Sequence, residues 1–147
     1  MSGQFPELIP RVEVQGTIRT YRTKDSRYHI KGSQCEDCQE KYYPPREGLD
    51  CPNCGSRNLK DYYPPKKGEV VTCWIDDVGY PAVGYTDLPP RTIVVVKLED
   101  GLHVLSEVVE LEGEPVEPGT KVNMIIRKHK REETGNWVYG YKFAIAK

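Results

Sequence analysis

Beyond residue 68, apolar positions arrive in five separate bursts. "EVVTCWID" (69–76) is rich in β-branched and aromatic residues and reads as a strand. "RTIVVVKLE" (91–99) is a continuous apolar run, the pattern of a strand covered on both faces. Asp100-Gly101 then signals a hairpin, and "LHVLSEVVE" (102–110) returns from it. In "KVNMIIRKHKR" (121–131), Val122, Met124 and Ile126 share one face. In "WVYGYKFAIA" (137–146), Trp137, Tyr139, Tyr141, Phe143 and Ile145 alternate with smaller or polar residues. The stretch between the first two strands (77–90) is too full of Gly and Pro for a helix or central strand. Five strands with that excursion after the first predict a mainly β protein whose second half is a five-stranded OB-fold barrel. A split barrel and a sandwich are the alternatives.

Upstream the pattern thins. Val14, Ile18 and Tyr21 stand at i, i+4 and i+7, a narrow helical stripe that Thr17, Thr20 and Thr23 weaken. Residues 1–34 are therefore expected as an N-terminal segment with some helical character, its end ("RYHIKGSQ", 27–34) a short strand. Residues 35–67 carry paired cysteines and two copies of "YYPP" (42–45 and 62–65), where Pro stiffens exposed chain and Tyr covers a small core. "PPKKG" (64–68) reads as a linker. The chain thus divides into 1–34, 35–67 and 68–147.

Charge narrows the range of partners. The formal net charge is -1. Residues 68–147 hold nine Lys/Arg against thirteen Asp/Glu, which is not the footprint of a protein whose main work is gripping phosphate backbones. Nucleic acid is accordingly the weaker expectation, although zinc ribbons and OB barrels can serve it and the aromatic strand 137–145 could stack bases. No apolar run approaches the length of a membrane span, and "MSGQFPELIP" lacks the apolar core of a secretory signal, so the expected compartment is the cytoplasm.

In a reducing compartment, paired Cys-x-x-Cys points to a metal rather than to disulfides. Cys35, Cys38, Cys51 and Cys54 have the spacing C-x2-C-x12-C-x2-C. Each two-residue gap lets both sulfurs of a knuckle reach one ion, and two knuckles close a tetrahedron. Four soft thiolates favour zinc, with iron as the alternative. Such a closed site is structural, because it keeps no ligand position for water. Gly55 follows the second knuckle and suits its tight turn, whereas Gln39 holds the matching place after the first.

Catalytic chemistry finds little support. Cys73 lies in alternation between Val71 and Ile75 and reads as a small buried hydrophobe. His29, His103 and His129 are scattered, and no nucleophile elbow, phosphate loop or dinucleotide fingerprint occurs. The expectation is a non-enzyme.

The order of parts, with "YYPPREGLDCPNC", "PPKKGEVVTCWI", "TIVVVKLEDGLHVLSEV" and "EPGTKVNMIIRK", resembles a widespread prokaryotic family of zinc-ribbon plus OB-fold proteins long catalogued as a domain of unknown function. The resemblance covers the chain from about residue 20, and its most specific pieces are Pro44-Pro45-Arg46 and Gly68-Glu69-Val70. It implies a rubredoxin-like zinc ribbon. It also implies a non-catalytic acyl-CoA-binding or scaffold companion of thiolase-superfamily enzymes, in archaea bridging an acetoacetyl-CoA thiolase and a hydroxymethylglutaryl-CoA synthase. For such a ligand, Arg127 and Lys128 are candidate cations, although alternation sets them on opposite faces. Trp74, Tyr80 and Tyr85 are candidates for a groove at the barrel mouth, with packing as the plainer reading of Trp74. Tyr42 and Tyr43 are expected on a ribbon that projects as a stiffened finger toward a partner.

Overall fold

The computed structural model describes residues 21–77, 90–111, 113, 115–131 and 137–146. It opens with a short helix, α1 (Lys24–Tyr28), carrying Asp25 in its first turn and Arg27 in its last, the placement that complements the helix dipole. The strand expected over 27–34 therefore starts only at Gly32. Of the expected helical stripe, Val14 and Ile18 lie outside the described residues, and Tyr21 is exposed.

Three strands follow: β1 (Gly32–Cys35), β2 (Lys41–Tyr42) and β3 (Leu59–Tyr62), in the antiparallel order β2-β1-β3. A turn through Tyr63, buried Pro64, Pro65 and Lys66 leads into five more strands: β4 (Lys67–Asp76), β5 (Arg91–Leu98), β6 (His103–Val108), β7 (Lys121–Arg131) and β8 (Trp137–Ile145). These close into a barrel ordered β4-β5-β6-β8-β7. The closure is parallel between β6 and β8, at Val108 and Phe143, and antiparallel between residues 67–69 of β4 and 121–123 of β7. The protein is a zinc ribbon followed by a closed five-stranded barrel, as its patterning predicts.

The barrel core is built by alternation. Val94, Val96 and Leu98 of β5, Val104 and Val108 of β6, Val70, Val122 and Phe143 are all buried. The continuous run of β5 does not mean cover on both faces, since Ile93 and Val95 on its other face are only half-buried. On β8 one face passes from solvent to core: Trp137 is 41% exposed and Phe143 0%. The β5–β6 turn uses Gly101 at φ 91, a left-handed conformation that favours glycine. A register shift between Val70 and Thr72 leaves Val71 exposed.

Ribbon and barrel share contacts along a seam. Ile30, just before β1, belongs to the same buried cluster as the barrel valines, and Tyr43 packs against that cluster. The Tyr43 and Tyr141 hydroxyls share a hydrogen bond across the seam. Tyr62 Oη donates to Asp100 Oδ2 in the β5–β6 turn (2.7 Å), with Lys41 Nζ 4.6 Å above the Tyr62 ring. The Arg27 guanidinium on α1 donates to the Tyr139 carbonyl of β8 (2.9 Å).

Candidate metal centre and barrel face

The four knuckle cysteines converge. Their Sγ atoms all lie within 4.8 Å of one another. Cys35 and Cys54 are 3.6 Å apart, and Cys38 and Cys51 are 3.5 Å apart. Sulfurs at zinc-ligand distance on a tetrahedron stand about 3.8 Å apart, whereas a disulfide needs about 2.05 Å. The donor set therefore fits a tetrahedral metal and excludes paired disulfides in this arrangement. Cys35 and Cys51 are buried, and Cys54 reaches the surface.

Local hydrogen bonds hold both knuckles. Cys35 N–H donates to the Glu40 carbonyl (2.9 Å), and Cys51 N–H to that of Ser56 (2.8 Å). Gln39 (φ 61) and Gly55 (φ 72) take the same left-handed conformation after their respective knuckles. A side chain there costs on the order of 1 kcal/mol. Gln39 is held in place through its amide, which donates to the Glu36 carbonyl (2.7 Å) and accepts from Gln34 Nε2 (3.2 Å). Tyr42 Oη donates to Cys51 Sγ (3.2 Å). That bond lowers the Cys51 thiol to about 6, which favours the thiolate a metal requires, and pushes the Tyr42 phenol up to about 12.

The two tyrosines expected to face a partner are thus turned inward, Tyr42 to the sulfur cage and Tyr43 to the seam. The second "YYPP" behaves alike only at Tyr62, which is bound to Asp100; Tyr63 Oη donates to Asp25 Oδ2 (2.8 Å) while the residue stays 50% exposed. Tyr42, Tyr43 and Tyr62 gain more by covering their rings and pairing their hydroxyls than by projecting. Arg127 and Lys128 do not converge. Arg127 Nε donates to Glu110 Oε1 (2.6 Å), while Lys128 Nζ lies 4.8 Å above the Trp137 ring. Tyr80 and Tyr85 lie outside the described residues. Cys73 is half-buried, and its thiol donates to the Val116 carbonyl (3.1 Å).

Trp74 is 47% exposed, on the outer face of the barrel rather than in its core. It stands opposite Ile93, and Val95 stands opposite Leu105, so the four side chains share one face across β4, β5 and β6. Leu105 is 60% exposed. Beside this apolar strip runs a groove of about 360 Å³ lined by Arg27, Ile93, Leu105, Glu107, Gly140 and Lys142, among others. Its wall holds a nearly buried ion pair, Lys142 Nζ to Glu107 Oε2 at 2.8 Å. The strip was half legible, because Leu105 alternates out of phase with Val104 and Ser106. The Lys142–Glu107 pair left no signal, since a lysine among aromatics reads as solvent-facing.

Comparison with known proteins agrees with this architecture. Residues 23–60 match the family model of the ChsH2 rubredoxin-like zinc ribbon domain. A DUF35 domain-containing scaffold protein of Methanothermobacter thermautotrophicus is 32% identical over 129 residues, covering 86% of this chain and 94% of the relative. One from Pyrococcus furiosus is 35% identical over 126 residues, covering 85% and 89%. One from Methanocaldococcus jannaschii is 29% identical over 128 residues, covering 86% and 88%. Among solved structures, a chain of the Ltp2-ChsH2(DUF35) aldolase shares the fold with TM-score 0.66 and 19% identity, over 94% of this chain and 99% of that one. Among the described residues, no helix is long and apolar enough to cross a membrane.

Proposed function

The chain belongs to the family of DUF35 domain-containing scaffold proteins, and from that premise we propose that it is a non-catalytic scaffold subunit that docks a thiolase-superfamily enzyme. A CoA-condensing synthase is its second partner, and the acyl-CoA passed between them is its ligand. Cys35, Cys38, Cys51 and Cys54 hold a structural zinc, which supplies folding energy to the ribbon and no open coordination position.

The observation that carries this reading is the exposed apolar strip Trp74–Ile93–Val95–Leu105 with its adjoining groove. A tryptophan on β4 and a leucine on β6, left open on one face across β5, are what a protein interface needs, and aromatic anchors dominate such interfaces. In the groove wall Lys142 answers Glu107 and Arg91 answers Asp76, so the lining tolerates the phosphates of CoA at its edge. An aldolase in the name of the structural neighbour gives the enzyme-partner idea a parallel.

The test is co-purification of the tagged full chain with the thiolase-type enzyme of its own host, beside the pair W74S and L105S. Recovery of the thiolase with wild type and its loss with both variants is the expected result. Recovery undiminished by either variant would remove this face from the reading. Failure to recover any thiolase, with nucleic acid or transcription proteins in its place, would overturn it.

A further inference from the structure

The sulfur cage sets an accessible cysteine against an enclosed one, twice. Cys54 is exposed and Cys38 half-buried, whereas Cys35 and Cys51 are buried. Cys54 Sγ lies 3.6 Å from Cys35 Sγ, and Cys38 Sγ lies 3.5 Å from Cys51 Sγ. Both contacts cross between the knuckles, since Cys35 and Cys38 form the first and Cys51 and Cys54 the second.

The knuckles are also tied to each other without any ion. Asp37, inside the first, accepts from Ser56 Oγ and from Asn58 Nδ2 (3.3 Å), both just past the second. Glu36 N–H donates to the Asn58 carbonyl (2.9 Å). These bonds keep each accessible sulfur facing its enclosed partner when thiolate ligands are withdrawn from a metal.

We propose that the cage is a redox site as well as a staple: hydrogen peroxide oxidises Cys54 and Cys38, Cys35 and Cys51 resolve them, and two disulfides replace the zinc as the clamp between the knuckles. The Cys54 thiolate attacks the peroxide. An S–O bond forms, the O–O bond breaks and hydroxide leaves, so that Cys54 becomes a sulfenic acid. The Cys35 thiolate then attacks the Cys54 sulfur. An S–S bond forms, the S–O bond breaks and a second hydroxide leaves. The two sulfurs give up two electrons, and the peroxide takes them. A second peroxide does the same at Cys38 and Cys51. Each pair closes from 3.5 or 3.6 Å to about 2.05 Å, and consuming the thiolates releases the ion. Pairing across the knuckles preserves the ribbon, whereas pairing within each Cys-x-x-Cys would set the two knuckles free. The proposal rests on the structural zinc proposed above, and the two fail separately because zinc content is read before any oxidant is added.

The experiment loads the full-length chain with zinc, reads its metal content and titrates in hydrogen peroxide while a chromogenic chelator reports released zinc. Free thiols are then alkylated and the chain is cut with trypsin. Cleavage after Lys31, Lys41, Arg46 and Arg57 puts the knuckles on separate peptides, 32–41 and 47–57. Full loss of zinc, with those peptides joined through Cys35–Cys54 and Cys38–Cys51 and freed by dithiothreitol, is the expected result. Ribbon amides should keep their protection in the oxidised chain. C54H holds zinc through an imidazole and takes the first attacked sulfur away, so it should lose zinc more slowly than wild type. Disulfides within a knuckle, zinc retained through oxidation, ribbon protection lost on oxidation, or C54H releasing zinc as fast as wild type would each overturn the proposal. A chain that takes up no zinc at the start would overturn the zinc reading and this proposal with it.

Discussion

Tyr43 of the ribbon and Tyr141 of the barrel, 98 residues apart in sequence, join their hydroxyls across the seam between the two modules. Burial, and then the bond to Tyr43, pushes the Tyr141 phenol well above the usual tyrosine range. Neutral hydroxyl pairs of this kind contribute about 1 kcal/mol. Y43F and Y141F should each lower stability by about that amount, and the double variant should cost little more than one. Thermal melts of the four proteins form the cycle, and additive losses would mean the two hydroxyls act independently.

Metal removal should unmake the ribbon before the barrel. The native chain is expected to carry one zinc, and a strong chelator should abolish near-ultraviolet signals from Tyr42 and Tyr43 while strand content persists. C51S, which removes a buried ligand, should mimic the chelator. A ribbon that keeps its amide protection without metal would contradict this.

Tyr42 supports the cage from behind. Y42F removes the donor to Cys51, and the Cys51 thiol should rise from about 6 toward its ordinary value. Outer partners of metal ligands are typically worth 10-fold or more in affinity, so Y42F should lose on the order of tenfold in zinc affinity against a competing chelator.

The buried pair in the groove wall gives a stability test. Lys142 and Glu107 are nearly enclosed at 2.8 Å. E107A strands a buried ammonium and should cost about 3 kcal/mol, whereas E107L combined with K142M should be close to neutral. Urea unfolding of the three proteins decides it.

Acid should loosen α1. The Tyr63 hydroxyl, then His29, hold the Asp25 carboxyl below its ordinary 3.8. A carboxyl whose folded pKa is depressed contributes stability that is present above 3.8 and is lost as pH falls through the lower folded value. D25N should therefore be less stable than wild type at neutral pH and match it at the acid end, measured as Tm against pH.

Much of this was legible in the chain itself. The five barrel strands declared themselves through alternation, and the cysteines through spacing, because both signals are local. What crosses between modules was not. Ile30 is an isolated apolar residue in a polar stretch, yet it lies in the barrel core. Asp100 read as a turn residue. It is one, donating nothing and accepting the Leu102 N–H at 3.3 Å, but its other oxygen holds Tyr62 of the ribbon. Nothing in "YYPP" says which way a tyrosine faces, since that depends on a sulfur or a hydroxyl far along the chain.

Ile30 and Tyr43 have a consequence for how such a protein can be cut or recombined. A barrel excised at residue 68 would lose Ile30 from its buried cluster and Tyr43 from the side chains packed against it, and would open that core to water. The metal-bearing half is thus also the stopper of the other half. A chimera that swaps in a foreign ribbon must supply these two side chains along with the cysteines, or inherit a barrel whose core is left uncovered.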